Sequence, residues 1–247
     1  MDFPQLSTPH LQTLRDRKMN ESALRHIPLF ERLNAAELVA LESMAVRRKV
    51  FADTMILRAD EEGDTLFVIL SGRVTVSMHS DEGKEVILSI LKDGEFFGEI
   101  SLLDGEPRSA SITATEDTEL LLLRRADFLD CLSRFPDMVG TLLASLANRL
   151  RRTNRQVESL ALLNSYGRVA GVLLQLAEDQ GVYQPDRSIT ITARPILQEI
   201  AGLAGTSRET VSRILNNLEQ NGYIERDGRK IHICDPDRLQ DDFFFIL

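Results

Sequence analysis

Cysteine is scarce in this chain: Cys131 and Cys234 are the only two in 247 residues and lie far apart. That argues against a disulfide framework, a zinc site and a four-cysteine iron–sulfur cluster. Long apolar runs are also missing. Runs such as residues 120–123 fall far short of the roughly 20 residues that a membrane span needs. The opening MDFPQLSTPH lacks the basic-then-apolar character of a signal peptide, so a cytoplasmic location with no membrane partner is expected. Excess positive charge is absent as well, the net charge being −9, whereas phosphate neutralisation normally leaves a basic footprint. No G-x-S-x-G elbow, P-loop, H-E-x-x-H or converging Ser/His/Asp order occurs. Neither an enzyme nor a metal site or prosthetic group is expected.

What is present is an ordinary soluble composition, 43 % hydrophobic and 27 % charged, long enough for two modest domains with cores of their own. The charge is uneven. Residues 151–234 hold eleven Lys/Arg against nine Asp/Glu, so the acidic excess sits in the N-terminal half and the tail.

The hydrophobic period changes along the chain and divides it into five segments of an α+β protein. Residues 1–21 show no periodicity and read as an extension. SALRHIPLFERLNAAELVALESMA predicts one or two short amphipathic helices, with Leu33, Leu38 and Leu41 at helical spacing and Asn34 as N-cap. Over 47–123 the period is two: TLFVIL and RVTVSM around Ser71-Gly72, a charged turn SDEGKE, then VILSIL, KDGEFF, SITAT and ELLLL at roughly ten-residue intervals. Such spacing predicts a sandwich or jelly-roll rather than a parallel sheet, and so a β-rich domain over 22–135.

After Pro136, residues 137–164 contain no proline and one glycine. Val139, Leu143, Leu146, Leu150, Thr153, Val157, Leu160 and Asn164 fall at alternating steps of four and three, an a/d seam. The helix 136–165 is therefore expected to pair with a second copy in a two-fold homodimer, the alternative being a stripe packed on its own domain.

The segment 166–234 has a helix (RVAGVLLQLAED), a polar loop containing Gly181, Pro185 and Asp186, a short strand (SITIT), and helical runs over 197–204 and 207–220 about Gly205. YIERDGRKIHI follows as two strands around Asp227-Gly228, which predicts a winged helix-turn-helix. A recognition helix reads double-stranded DNA with its N-terminal residues, here Ser207, Arg208, Glu209, Thr210 and Arg213. Arg208 and Arg213 can each present a fork to guanine, and Glu209 can accept from cytosine. Thr206 and Ser207 at the helix start suit a backbone phosphate, and Arg226, Arg229 and Lys230 make the wing basic. SRET as a mere capping sequence explains neither the glycine turn nor that wing. The tail 235–247 ends in FFFIL, expected to dock on the protein's own surface or to meet a partner.

Residues 97–111, FGEISLLDGEPRSAS, bring a carboxylate, a guanidinium and a hydroxyl into a glycine-punctuated stretch read as too irregular for helix or strand. FGEISLLDGEPRSA resembles the phosphate-binding cassette of cyclic-nucleotide sensors, and SRETVSRIL is similar to the recognition-helix signature of the catabolite-activator/fumarate-nitrate-regulator family of bacterial transcription factors. The resemblance covers about 22–234. It implies a β-roll sensor, a dimer helix and a DNA-reading domain, with RNA polymerase as a further partner. In the cassette it assigns Gly98, Glu99, Ile100, Ser101, Arg108, Ser109 and Ala110 to the ligand. Arg108 would grip a cyclic phosphodiester through parallel charge-assisted bonds with Ser109 beside it, Glu99 would accept from the ribose hydroxyl, and Gly98 would allow close approach and positive φ. Thr153 and Asn154 match the pair that contacts adenine in the catabolite activator, although a polar seam residue can also serve only as a register device. The first helix of the motif departs from the family, with Pro195 near its first turn and apolar Ile196 and Leu197. Redox and haem sensing are disfavoured, since the N-terminal cysteine cluster is missing and His10, His26, His79 and His232 are isolated. The expected effector is cyclic AMP, with cyclic GMP or cyclic di-GMP as alternatives; a sensor acting on a protein partner without reading DNA is the competing class.

Overall fold

The computed structural model describes residues 24–80, 85–192 and 195–244. The extension, most of the charged turn and the last three residues of the tail lie outside them. The chain forms two compact units, one from residues up to Val76 with Ile90–Ala147, the other from Ser77–Ser89 with Asn148–Leu247.

In the first unit, helix α1 (Ala35–Met44) starts where expected. The Asn34 side chain accepts from the Ala36 and Glu37 amides at 2.9 and 3.1 Å, and Glu37 accepts from the Asn34 amide at 2.8 Å, a reciprocal capping box. Residues 25–32 before it make turns rather than a second short helix, and Leu24, Ile27, Leu29, Phe30 and Leu33 are still buried.

The strands are β1 (Val46–Val50), β2 (Met55–Leu57), β3 (Thr65–Ser71), β4 (Arg73–His79), β5 (Glu85–Lys92), β6 (Phe96–Phe97), β7 (Ser111–Ala114) and β8 (Thr118–Arg124). They form two four-stranded sheets, ordered β1-β8-β3-β6 and β2-β7-β4-β5, which is a jelly roll. A core of Val50, Phe67, Ile69, Val74, Leu91, Ile112 and Leu120 fills the space between the sheets. A second core covers the outer face of the first sheet: Leu66, Val68, Leu121 and Leu123 meet α1, helix α3 (Arg125–Arg134) and Met138 and Leu142. That is why LFVIL and LLLL are continuously apolar: both faces of β3 and β8 are buried.

The long helix α4 (Pro136–Leu162) opens with proline at its first position, where the ring costs no hydrogen bond. Leu143, Leu150 and Val157, one per heptad, are about 60 % exposed, and Leu160 is exposed as well. The seam ends there. Asn164 is not its next member but the N-cap of helix α5 (Ser165–Gln180), accepting from Tyr166 and Gly167.

In the second unit, β9 (Gly181–Tyr183), within the stretch read as a loop, extends a sheet ordered β11-β12-β10-β9. Its other strands are β10 (Ile189–Ile191), β11 (Ile224–Asp227) and β12 (Lys230–Ile233). Helices α6 (Leu197–Leu203) and α7 (Arg208–Gln220) pack with α5 and the sheet on Val169, Leu173, Ile200, Val211, Ile214, Leu215 and Ile231. The tail forms helix α8 (Pro236–Phe244). Its Leu239 is fully buried, and Phe243 stacks on Tyr166 at 6.1 Å and meets Tyr223 edge-on at 5.3 Å. Up to Phe243, then, the tail docks on the protein itself.

Candidate nucleotide cassette and DNA-reading helix

The stretch 97–111 is more regular than its glycines suggest. After β6, Gly98 adopts φ +82, which L side chains rarely do, and the chain turns directly into the short helix α2 (Glu99–Asp104). This corrects the expectation of a stretch with neither helix nor strand: a helix of six residues is closed by the Gly105 amide donating to Ser101. Beyond it, Arg108 exchanges backbone bonds with the other side of the site, its amide donating to Glu61 and its carbonyl accepting from Asp60, both at 2.9 Å.

That pairing aims the Arg108 side chain inward. The residue is 5 % exposed. Nη1 donates to the Gly98 carbonyl and Ser101 Oγ, both at 2.7 Å, and Nη2 donates to the Thr65 carbonyl at 2.8 Å. Among the described residues its acceptors are all neutral oxygens, and Nε has none. Burial pulls the guanidinium below its usual pKa, while the nearby charges of Asp64 and Glu99 act in the opposite sense. Glu99 and Ser101 are buried beside it, Ala110 is buried, and Ile100 and Ser109 are exposed. Gly63 is the residue that sequence reasoning missed. A Cβ there would lie 2.0 Å from Arg108 Nε, so only glycine leaves room for the guanidinium. Its one signal in the sequence is a glycine just before a strand. Thr153 and Asn154 are exposed on α4, in the second unit.

The helix-turn-helix forms as the spacing predicts, to within a residue. Gly205 takes φ +56 in the turn, where a Cβ would lie 2.6 Å from Leu160. Ser207 caps α7, its hydroxyl accepting from the Thr210 amide at 3.2 Å. Val211, Ile214, Leu215 and Leu218 face the core, which turns Arg208, Glu209 and Arg213 outward. Thr206 and Thr210 are half-buried, and Lys230 is exposed on the wing. The backbone amide at the helix start and the Ser207 hydroxyl hold Glu209 below the usual carboxylate range. A groove of about 810 Å³ runs along this face, lined by Arg208, Glu209, Ser212, Arg213, Asn216 and Tyr166 among others.

Arg226 departs from the expected basic wing. Its Nε donates to Glu219 Oε2 at 3.0 Å, its Nη2 bonds the same oxygen, and Nη2 also reaches Asn216 Oδ1 at 2.7 Å. The side chain ties the wing to α7 and is not free for phosphate. The bond to Arg226 in turn holds the Glu219 carboxyl below its usual range.

Comparison with known proteins finds a family model for each of the two regions. Residues 47–135 match the cyclic nucleotide-binding domain, and 167–242 match the Crp-like helix-turn-helix domain. The "Cyclic AMP receptor protein" of Thermus thermophilus is 36 % identical over 221 residues, 88 % of this chain and 97 % of that one. The "cAMP-activated global transcriptional regulator Vfr" of Pseudomonas aeruginosa is 35 % identical over 213 residues, 84 % and 95 % of the two chains. The chain belongs to the CRP/FNR family of transcription regulators. Among solved structures, a CooA mutant from Carboxydothermus hydrogenoformans superposes on this CRP/FNR chain with a TM-score of 0.73 at 26 % identity, covering 82 % of this chain and 89 % of that one. The c-di-GMP responsive regulator CLP of Xanthomonas campestris has a TM-score of 0.68 at 23 % identity, covering 82 % and 100 %, a likeness of fold. The helix-turn-helix match runs to residue 242, so the family region takes in α8, which the resemblance read from sequence had left outside.

Proposed function

We propose that this CRP/FNR chain works as a cytoplasmic homodimer whose DNA binding is controlled by cyclic AMP, and that it acts on transcription with RNA polymerase as partner. One observation carries the ligand half: among the described residues the Arg108 guanidinium is buried on three neutral oxygens, with Nε given no acceptor. A buried cation is costly until an anion joins it. A cyclic phosphodiester supplies one negative charge, and a guanidinium can meet it with parallel charge-assisted bonds. Gly98, Ile100, Ser101, Ser109 and Ala110 complete the phosphate cradle, and Glu99 takes the ribose hydroxyl. Thr153 and Asn154 on α4 read the adenine. The relatives named as cyclic AMP receptors favour that nucleotide over cyclic GMP and cyclic di-GMP.

Leu143, Leu150, Val157 and Leu160 form the seam between two copies. Two α7 helices then address half-sites about one duplex turn apart in a pseudo-palindrome, with Ser207, Arg208, Glu209, Thr210 and Arg213 at base edges and Thr206 and Lys230 at phosphates. Nucleotide shifts the dimer toward the binding-competent arrangement by its differential affinity for it. Calorimetric titration with cyclic AMP, cyclic GMP and cyclic di-GMP tests the reading. Cyclic AMP should bind tightest, and Arg108→Ala should abolish the heat without unfolding the protein. Undiminished binding by Arg108→Ala, or tighter binding of cyclic di-GMP, overturns it.

A further inference from the structure

The turn that carries the recognition helix has a backbone ledger that does not close within the motif. The last carbonyls of a helix have no intrahelical partner and need donors from elsewhere. At the end of α6 the Ile200 carbonyl takes the Ala204 amide at 2.9 Å, Ala201 takes Thr206 at 3.0 Å, and Gly202 takes Gly205 at 3.3 Å. The next two carbonyls, Leu203 and Ala204, receive side chains from α4 and α5. Gln156 Nε2 donates to the Leu203 carbonyl at 3.1 Å, and its other hydrogen goes to the Ile87 carbonyl at 2.8 Å. Arg168 Nε donates to the Ala204 carbonyl at 2.7 Å, and its Nη1 reaches back to the Leu163 carbonyl at the end of α4, at 3.0 Å. One guanidinium thus lies between the negative ends of two helices, where a cation is favoured. Leu160 lies under Gly205 and completes the contact.

We infer that Gln156 and Arg168 are positioning residues for DNA reading: together they clamp the turn between α6 and α7 to the end of α4 and so set the direction in which the recognition helix points. Neither side chain touches DNA in this assignment. Their removal acts on alignment with base edges, which carries sequence discrimination, and leaves phosphate contacts in place.

The inference rests on DNA reading by α7 and is tested on the full chain with cyclic AMP present. The specific probe is a duplex that the wild-type protein selects from a random pool; the control is a random duplex. Arg168→Gln and Gln156→Met should each lower affinity for the selected site about tenfold, the worth of one well-made hydrogen bond. Affinity for the random duplex and the salt slope should stay as in the wild type, and Arg168→Lys should recover part of the loss. If Arg168→Gln melts early, Gln156→Met alone decides. Equal losses on both duplexes, or none on the selected one in a variant that melts like wild type, overturn the assignment. Failure of the wild type to select any sequence overturns DNA reading itself, a different result.

Discussion

Replacing Gly63 by alanine isolates the role of the buried guanidinium. Gly63 is not among the residues with positive φ, so a methyl group there strains no backbone. Chain entropy alone would make Gly63→Ala stabilising by about 0.4–1 kcal/mol. The space, however, is occupied: the new Cβ would lie 2.0 Å from Arg108 Nε, 2.2 Å from Cζ and 2.5 Å from Nη2. To reach ordinary contact the guanidinium must recede by roughly 1.4 Å. Such a shift takes its bonds to Gly98, Ser101 and Thr65, now 2.7–2.8 Å, out of hydrogen-bond range. Losing even one charge-assisted bond costs about 1.5–3 kcal/mol. Gly63→Ala should therefore weaken cyclic AMP binding by roughly 10- to 150-fold. The assay is calorimetry and thermal melting on wild type, Gly63→Ala, Arg108→Ala and the double variant. In the Arg108→Ala background the same methyl group should be neutral or stabilising, because the guanidinium it meets is gone. A Gly63→Ala protein that melts higher and binds nucleotide like wild type would refute the idea that the inward guanidinium grips the ligand.

Arg208→Ala should relax base preference at one position of each half-site, at about 1–3 kcal/mol of discrimination, whereas Lys230→Ala should weaken all sequences alike and flatten the salt slope. A selection experiment with both variants separates the two, and identical sequence-independent losses would refute the assignment. Leu150→Glu places a charge on each side of the proposed seam and forfeits burial of two leucines, about 3 kcal/mol or more. Sedimentation should then show a monomer at concentrations where wild type is dimeric; an unchanged dimer would mean that α4 is not the interface. The Glu219–Arg226 bond gives a pH dependence. Because the folded carboxyl lies below its ordinary value of 4.5, the bond's contribution is complete above about that pH and fades as pH falls through the lower folded value. Glu219→Gln should melt below wild type at pH 7, the gap closing in acid; a gap that persists at pH 3 would place the effect elsewhere.

The local grammar of this chain is legible without any structure. Asn34 followed by Glu37 starts α1, alternation marks the strands, and Gly205 with Ser207 sets the helix-turn-helix, because caps, turns and sheet alternation depend on neighbours a few residues away. The identities of Glu99, Arg108, Arg208 and Arg213 likewise point to their chemistry. Long-range packing decided the rest. Only the folded roll brings Gly63 and the Thr65 carbonyl, more than forty residues upstream, against the Arg108 guanidinium. Arg226 reads in the sequence as part of a basic wing, and only its contact with Glu219 and Asn216 shows it to be a strut. The carbonyls of Leu203 and Ala204 find Gln156 and Arg168 across 47 and 36 residues, and Phe243 finds Tyr166 across a longer span. No periodicity records such pairings, since hydrogen-bond capacity is a property of each residue whereas its partner is chosen by which elements the cores bring together.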